Sequence, residues 1–276
     1  MINTQPIFII GTGRSGTRNL FKTLSGVDDI EIFHEYNVLE VQQLSVLYYL
    51  GLITKKEAKK KLINIYYSAI YYCKKKIWID SSNKCSWLID ILIEIFPKAK
   101  FVLVVRDGRK VVASFYYKLR EEMYDDESNN LLISWLHNQN NPMPPKEKKF
   151  WWPVPNITSK KFKKFKKFNR FQRICFYWNE CNSFILKNFK KLPKNKYEIF
   201  KLENLINNEK YMKKFINFLN INYDSLYYDF IQKPRNVFIP ISFTLTLDQQ
   251  KQFWQICKST MNKFKYNENK IKKIKY

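Results

Sequence analysis

Two short segments of the chain carry residues that could bind phosphate groups. The first is GTGRSGTR at residues 11–18, between the apolar run at 7–10 and a segment of helical periodicity. In such a turn, glycines let the backbone approach a phosphate, and N–H groups at the helix start polarise the site positively. Gly11 and Gly16 fit the NTPase pattern GxxxxGK[ST], but Thr17 replaces its lysine. A turn whose glycines only relieve backbone strain is the alternative.

The second segment is RDGRKVVAS at residues 106–114, which directly follows the apolar run at 101–105. An arginine at the carboxyl end of a central strand lies beside the crevice where open α/β sheets bind ligands. Ser114 follows about two helical turns later. If that helix packs back along the sheet, Arg106 and Ser114 converge on one phosphate. An ion pair between Arg106 and Asp107 at a helix start is the alternative.

Both segments lie in a part of the sequence where short apolar runs alternate with segments of helical periodicity. The pattern predicts right-handed βαβ crossovers and a three-layer α/β sandwich, with a central, mainly parallel sheet flanked by helices. Strands are predicted at 7–10, 30–33, 77–80, 101–105 and 197–205, and helices after residue 16 and at 37–50, 54–76, 85–96, 109–123, 207–219 and 248–264. The basic run KKFKKFKKFNRFQR at 160–173 and the residues after it predict one further helix.

No internal repeat or linker interrupts the chain, so we expect a single domain over residues 1–276. Residues 138–158 hold five prolines with Trp151 and Trp152, and predict a lid or insertion loop whose indoles either stack on a sugar or cover the core. The polar tail 265–276 is expected to fray. The lysines of the 160–173 helix form either a solvated face or a binding wall for an anionic acceptor or membrane surface.

The composition narrows the function classes. With 49 Lys and Arg against 24 Asp and Glu, the net charge is +25, which favours anionic ligands. Since Lys, Asn, Ile, Tyr and Phe are all abundant, coding bias explains much of that charge, and nucleic acid is not the favoured partner. Five scattered cysteines and two histidines form no zinc motif. We expect no membrane-spanning helix, no signal peptide and a reduced, cytoplasmic setting.

The two anion segments together resemble a known family. GTGRSGT resembles the 5′-phosphosulfate loop of sulfotransferases that use 3′-phosphoadenosine-5′-phosphosulfate (PAPS), and RDGRKVVASFYYK resembles their 3′-phosphate motif. YEIFKLENL at 197–205 is more weakly similar to their Y-x-x-x-x-Y-E-D-L region. The resemblance implies a P-loop-like sulfotransferase fold and transfer of a sulfuryl group from PAPS to a hydroxyl or amine, without a required metal. A carbohydrate acceptor is favoured, and an anionic glycan would suit the positive charge.

The resemblance also implies roles for individual residues. Arg14 matches the basic residue that contacts the sulfuryl group and the bridging oxygen. The residues implied for the 5′-phosphate loop are Gly13, Arg14, Ser15, Gly16, Thr17 and Arg18. Those implied for the 3′-phosphate are Arg106, Ser114 and, from the late segment FIQKPRNV, Lys233 and Arg235.

The general base is implied at the end of the second strand. Carbohydrate and tyrosine sulfotransferases place a glutamate there, which corresponds to Glu35, with His34 as the alternative base; a polar helix cap is the other interpretation. IWIDSSNK at 77–84 departs from the family's D-K-[ST]-P segment, because Ser81 stands where the lysine is expected and Lys84 would have to replace it.

Two other functions are compatible with parts of this pattern. A P-loop nucleotide kinase or GTPase would need Mg²⁺ and the lysine that this loop lacks. A basic nucleic-acid-binding or scaffold protein could retain an inactive nucleotide pocket.

Overall fold

A five-stranded parallel sheet is the centre of the fold in the computed structural model, which describes residues 3–233 and 245–267. Its order is β2-β3-β1-β4-β5, and every neighbouring pair is parallel. The strands are β1 (Gln5–Ile10), β2 (Ile30–His34), β3 (Ile77–Ser81), β4 (Lys100–Val105) and β5 (Tyr197–Lys201). The predicted mainly parallel α/β architecture is confirmed.

The described residues form twelve α-helices, with short 3₁₀ turns between some of them. The helices are α1 (Thr17–Leu24), α2 (Val38–Tyr49), α3 (Lys55–Tyr71), α4 (Ile89–Ile95), α5 (Gly108–Lys118), α6 (Asp126–His137), α7 (Lys160–Phe165), α8 (Arg170–Phe189), α9 (Leu202–Asn207), α10 (Glu209–Leu219), α11 (Ser225–Gln232) and α12 (Leu247–Lys263). None of the helices in the described ranges is both long and apolar enough to cross a membrane.

The contacts divide the chain into two compact units. The first comprises the described residues of 1–38, 55–106 and 184–239, and it contains the whole sheet. The second comprises the described residues of 39–54, 107–183 and 240–276. The single domain over 1–276 stays a prediction. The tail expected to fray lies, from residue 268 onward, outside the described residues.

Helices cover both faces of the sheet in the first unit. On one face, Ile7 and Ile9 of β1 and Val102 of β4 belong to a cluster with apolar residues of α1 and α10. On the other face, Phe8 packs edge-on against Tyr66 of α3, with ring centroids 5.7 Å apart. Burial on both faces explains why β1 and β4 are continuous apolar runs and not alternating ones.

The proline-rich segment 138–158 packs into the second unit. Both indoles are buried, and their N–H groups donate to backbone carbonyls: Trp151 to Pro145 (2.7 Å) and Trp152 to Glu122 (2.8 Å). The Gln42 side-chain amide donates to the carbonyl of Trp151 at 2.7 Å. Trp151 and Trp152 are therefore core residues of this unit, and their ring faces are not offered to solvent.

The prediction of a single helix from residue 160 was wrong. The chain forms α7 and α8, separated by residues 166–169. Asn169 ends the gap by capping α8: its Oδ1 accepts from Gln172 N (2.9 Å), and Gln172 Oε1 accepts from Asn169 N (3.0 Å). Phe162 and Phe165 point inward while the lysines around them are exposed, as the spacing predicted.

The predicted strand at 197–205 was also too long, because β5 ends at Lys201 and Leu202 starts α9. The five cysteines are free thiols, buried except for half-exposed Cys73.

Candidate functional site

The turn between β1 and α1 uses backbone conformations that favour glycine. Gly13 and Gly16 have φ of 74° and 111°, and Arg14 between them is also left-handed, with φ of 53°. A Cβ on Gly16 would lie 2.5 Å from Leu202 Cδ1, at the start of α9. The glycine at position 16 is therefore required both by its φ and by the close approach of α9.

Two serines near the end of β3 hold this turn. Ser86 Oγ donates to the Gly11 carbonyl (2.8 Å) and accepts from the Gly11 N–H (3.1 Å). Ser81 Oγ donates to the carbonyl of Thr17 at 2.8 Å. The turn is thus attached at both ends. Ser81 stands where the family has a lysine, and its hydroxyl binds the start of α1.

The hydroxyl of Ser15 is the strongest sign that the turn receives a ligand. Ser15 is 1% exposed, and its Oγ makes no hydrogen bond within the described residues. Gly16, which precedes α1, offers no side chain to cap the first-turn N–H groups. A buried polar atom without a partner is uncommon, and an anion at a helix N-terminus would satisfy both the hydroxyl and these N–H groups. Thr17 and Arg18 open this helix, Thr17 buried and Arg18 exposed.

Arg106 joins the turn to the end of β4. Its Nη1 donates to the carbonyl of Arg14 at 3.2 Å, which places a fixed guanidinium beside the left-handed residue. Asp107 binds Arg109: their side chains form an ion pair of 2.7 Å, and Asp107 Oδ1 accepts from the Arg109 N–H at the start of α5. The structure therefore gives Arg106 a role in the turn and Asp107 the role of helix cap.

The other residues implied for the 3′-phosphate do not all lie in the same unit as Arg106. Ser114 is buried within α5 of the second unit, whereas Arg106 belongs to the first, and their convergence on one phosphate stays a prediction. Lys233 is exposed directly after α11. The end of that helix lies against α1, since the Ile231 carbonyl accepts from Asn19 Nδ2 at 2.9 Å. Arg235 lies outside the described residues.

His34 and Glu35 lie at the same edge of the sheet as the turn. The Ser81 carbonyl accepts from His34 Nδ1 (2.8 Å) and from the Glu35 N–H (3.3 Å). The imidazole stacks on Phe21 of α1, with centroids 5.7 Å apart. Because a carbonyl can only accept, the neutral imidazole carries its proton on Nδ1, which leaves Nε2 as a proton acceptor. Ser81 therefore connects both candidate bases to the first residue of α1.

A buried carboxylate lies beneath these two residues. Asp80 is fully buried and accepts from the Tyr36 N–H (3.1 Å), the Tyr66 hydroxyl (2.8 Å) and the Cys85 thiol (3.5 Å). Burial raises the pKa of Asp80 to about 7, although its hydrogen bonds act in the opposite direction. Asp80 is the aspartate of the IWIDSSNK segment, and the sequence alone predicts no role for it. An acidic residue at the end of a buried apolar strand was the available signal.

Lys84, the expected replacement for the family's lysine, is buried in a 3₁₀ turn, where its N–H donates to Ser82 Oγ. Its catalytic role stays a prediction. Within the residues that the structure describes, no three His, Cys, Asp or Glu side chains lie together as a metal site would require.

Comparisons with known proteins bear on the family and the fold. A family model described as "Sulfotransferase family" matches residues 6–144, half of the chain, and covers both anion segments. The sulfotransferase domain of the Synechococcus PCC 7002 olefin synthase is 15% identical, with a TM-score of 0.50 over 97% of each chain. The sulfotransferase domain of the curacin biosynthetic pathway is 11% identical, with a TM-score of 0.51 over 96% of this chain and 98% of that one.

Sulfotransferase STF9 from Mycobacterium avium is 9% identical, with a TM-score of 0.55 over 96% of this chain and 78% of that one. At such identities the solved structures show the fold alone. No protein of curated function matches the sequence significantly.

The clash at position 16 gives a first testable expectation. Gly16→Ala should lower the free energy of unfolding by roughly 1–3 kcal/mol through overpacking against Leu202, in addition to left-handed strain. Gly26→Ala is the matched control, because its φ of 93° imposes similar strain but no atom lies within 4 Å. Urea denaturation measures both. Equal losses in the two variants would show that the contact with α9 is unimportant.

The raised pKa of Asp80 gives a second expectation. The folded chain holds this proton more tightly than the unfolded chain, so the stabilisation is complete below about pH 4 and is lost as the pH rises to about 7. Asp80→Asn cannot titrate. Between pH 4 and 7, the free energy of unfolding of the wild type should fall relative to that of the variant, by up to roughly 1.4 kcal/mol per pH unit. Parallel curves from urea titrations would contradict this.

Proposed function

Because this chain belongs to the sulfotransferase family, we propose that it transfers a sulfuryl group from PAPS to a hydroxyl or amine, with a carbohydrate as the favoured acceptor. One observation carries the choice of donor: the buried Ser15 hydroxyl, without a partner among the described residues, in a glycine-rich turn at the start of α1. A phosphate-bearing donor supplies the acceptor oxygens that this hydroxyl and the N–H groups beside it lack.

The residues of the turn fit the 5′-phosphosulfate end of the donor. Gly13, Ser15, Gly16 and Thr17 would hold the phosphate through backbone N–H groups and hydroxyls, and Arg18 adds positive charge nearby. Arg14 would contact the sulfuryl group. Since Thr17 stands where a nucleotide kinase has its lysine, the turn suits a donor without a γ-phosphate.

The 3′-phosphate end would be held by Arg106, which already contacts the turn through the Arg14 carbonyl. Ser114, Lys233 and Arg235 stay proposed ligands of the 3′-phosphate on the strength of the resemblance alone. A guanidinium that is fixed before the ligand arrives loses little side-chain entropy on binding.

The chemistry proposed for these groups is an in-line displacement. The acceptor oxygen or nitrogen forms a bond to sulfur while the bond from sulfur to the bridging phosphate oxygen breaks. Arg14 and the N–H groups of the turn stabilise the negative charge that grows on the bridging oxygen. Glu35 accepts the proton of the acceptor group, and His34 Nε2 is the alternative base because Nδ1 donates to Ser81.

Nucleotide binding provides the direct test of the donor. The product 3′-phosphoadenosine-5′-phosphate (PAP), without metal, should raise the melting temperature, and Ser15→Ala should weaken PAP binding about tenfold, as expected for a lost hydrogen bond to a charged group. Ser68→Ala, on the exposed face of α3, is the control. Stabilisation by ATP or GTP with Mg²⁺ but not by PAP would favour a nucleotide kinase or GTPase instead, and stabilisation by neither would oppose a nucleotide site.

The general base is tested in an assay that measures transfer of the labelled sulfuryl group from PAPS to candidate acceptors: glycans, lipids, peptides and small alcohols. Glu35→Gln should lower turnover about 10²- to 10⁴-fold, the usual contribution of a general base, with PAP affinity unchanged. Glu31→Gln, on β2 four residues before Glu35, should keep turnover. Full activity in Glu35→Gln together with a large loss in His34→Gln would transfer the role to the histidine.

A further inference from the structure

The chain after β2 turns through two strained residues. Glu35 and Asn37 have φ of 58° and 45°, a left-handed conformation that costs about 1–2 kcal/mol for most L-residues and less for asparagine. Tyr36 lies between them. Because the residues on both sides of Tyr36 are left-handed, the turn persists only where other contacts hold Tyr36 in place.

Tyr36 is held by its ring and by its backbone. The ring lies 5.0 Å from Phe33, 5.5 Å from Trp78 and 5.7 Å from Tyr66, measured between centroids. The backbone N–H donates to Asp80 Oδ1 at 3.1 Å. Packing alone fixes the ring, but the hydrogen bond fixes the peptide between Glu35 and Tyr36 and therefore the direction in which the chain leaves Glu35.

The position of Asp80 is itself fixed from the other side. Its Oδ2 accepts from the Tyr66 hydroxyl at 2.8 Å and from the Cys85 thiol at 3.5 Å. Every polar group that contacts this carboxylate is a donor. An apolar residue would fill the same space in β3 without the desolvation penalty of a buried carboxylate, so the sheet does not need Asp80 for its packing.

We propose that Asp80 is a positioning residue, which fixes Glu35 and His34 at the sheet edge by holding the N–H of Tyr36. The assignment rests on the proposed function insofar as Glu35 or His34 is the base. Asp80 holds the turn through its backbone, by the hydrogen bond from the Tyr36 N–H, and its carboxylate also repels that of Glu35 electrostatically. The neighbouring Ser81 carbonyl, which binds His34 Nδ1 and the Glu35 N–H, supplies the second attachment of the same turn.

The test uses a variant that keeps the fold but loses the acceptor. Asp80→Val with Tyr66→Phe removes the carboxylate together with the hydroxyl that donates to it, and Tyr66→Phe alone is the reference. We expect similar melting temperatures for the two variants. In the double variant, hydrogen exchange of the Tyr36 amide, measured by ¹⁵N NMR, should be at least about tenfold faster.

The turnover of PAPS should fall in the same variant in which the Tyr36 amide exchanges faster. Because a small displacement of a reacting group costs up to about 10²-fold, we expect kcat of the double variant to fall at least about tenfold below that of Tyr66→Phe, with PAP affinity within about twofold. Asp80→Asn should keep both the slow exchange and the turnover, since its amide oxygen accepts from Tyr36 and its NH₂ group donates to the Tyr66 oxygen. A loss confined to KM would indicate a role in acceptor binding and overturn the proposal.

Two further outcomes would overturn it. If the Tyr36 amide stays protected in the double variant, Asp80 does not hold the turn. If the amide exchanges fast but kcat equals that of Tyr66→Phe, Asp80 does not position the base.

Failure of the proposed function gives a different result. The wild type would then transfer sulfuryl groups to no acceptor, and the exchange data alone would decide whether Asp80 holds the turn. Should the double variant not fold, Asp80→Ser provides the same exchange measurement, because its hydroxyl is too short to reach the Tyr36 N–H.

Discussion

The parallel register at Ser81 is the constraint on which the candidate site in the first unit depends. Ser81 pairs with Ile9 of β1 on one side and with His34 of β2 on the other. Its hydroxyl and its carbonyl then bind in opposite directions, the first to the start of α1 and the second to the end of β2. A single residue of a central strand therefore sets the position of the glycine-rich turn relative to both candidate bases. Parallel strands make this arrangement possible because their carboxyl ends meet at one edge.

The sequence predicted the parts of this arrangement that depend on local chemistry. The strands at 7–10, 77–80 and 101–105 could be found because strands buried on both faces are short apolar runs. The glycine turn could be found because its conformation is encoded within a few residues. The hydrogen bonds of Ser81 and Asp80 could not be found in this way. Asp80 and Tyr36 are 44 residues apart in sequence, and they meet only once β2 and β3 have paired in the observed register.

The errors in the predicted elements have a similar origin. The lysine–phenylalanine run from residue 160 has helical spacing throughout, but a reciprocal cap at Asn169 begins a new helix, and such a cap depends on two side chains adopting one geometry. β5 ends at Lys201 because Leu202 begins a helix whose first residue packs against the turn at Gly16. In both places, a specific contact ends the element earlier than the pattern of apolar residues predicts.

The contact between Gly16 and Leu202 would also leave a trace in evolution. The two residues are 186 positions apart, yet a methyl group on the first would lie 2.5 Å from the side chain of the second, so that Leu202 would have to shift. The φ of 111° favours glycine at position 16 whatever residue stands at 202. In a homologue that does replace this glycine, residue 202 should therefore be smaller than leucine, and such paired changes would link the start of α9 to the glycine-rich turn.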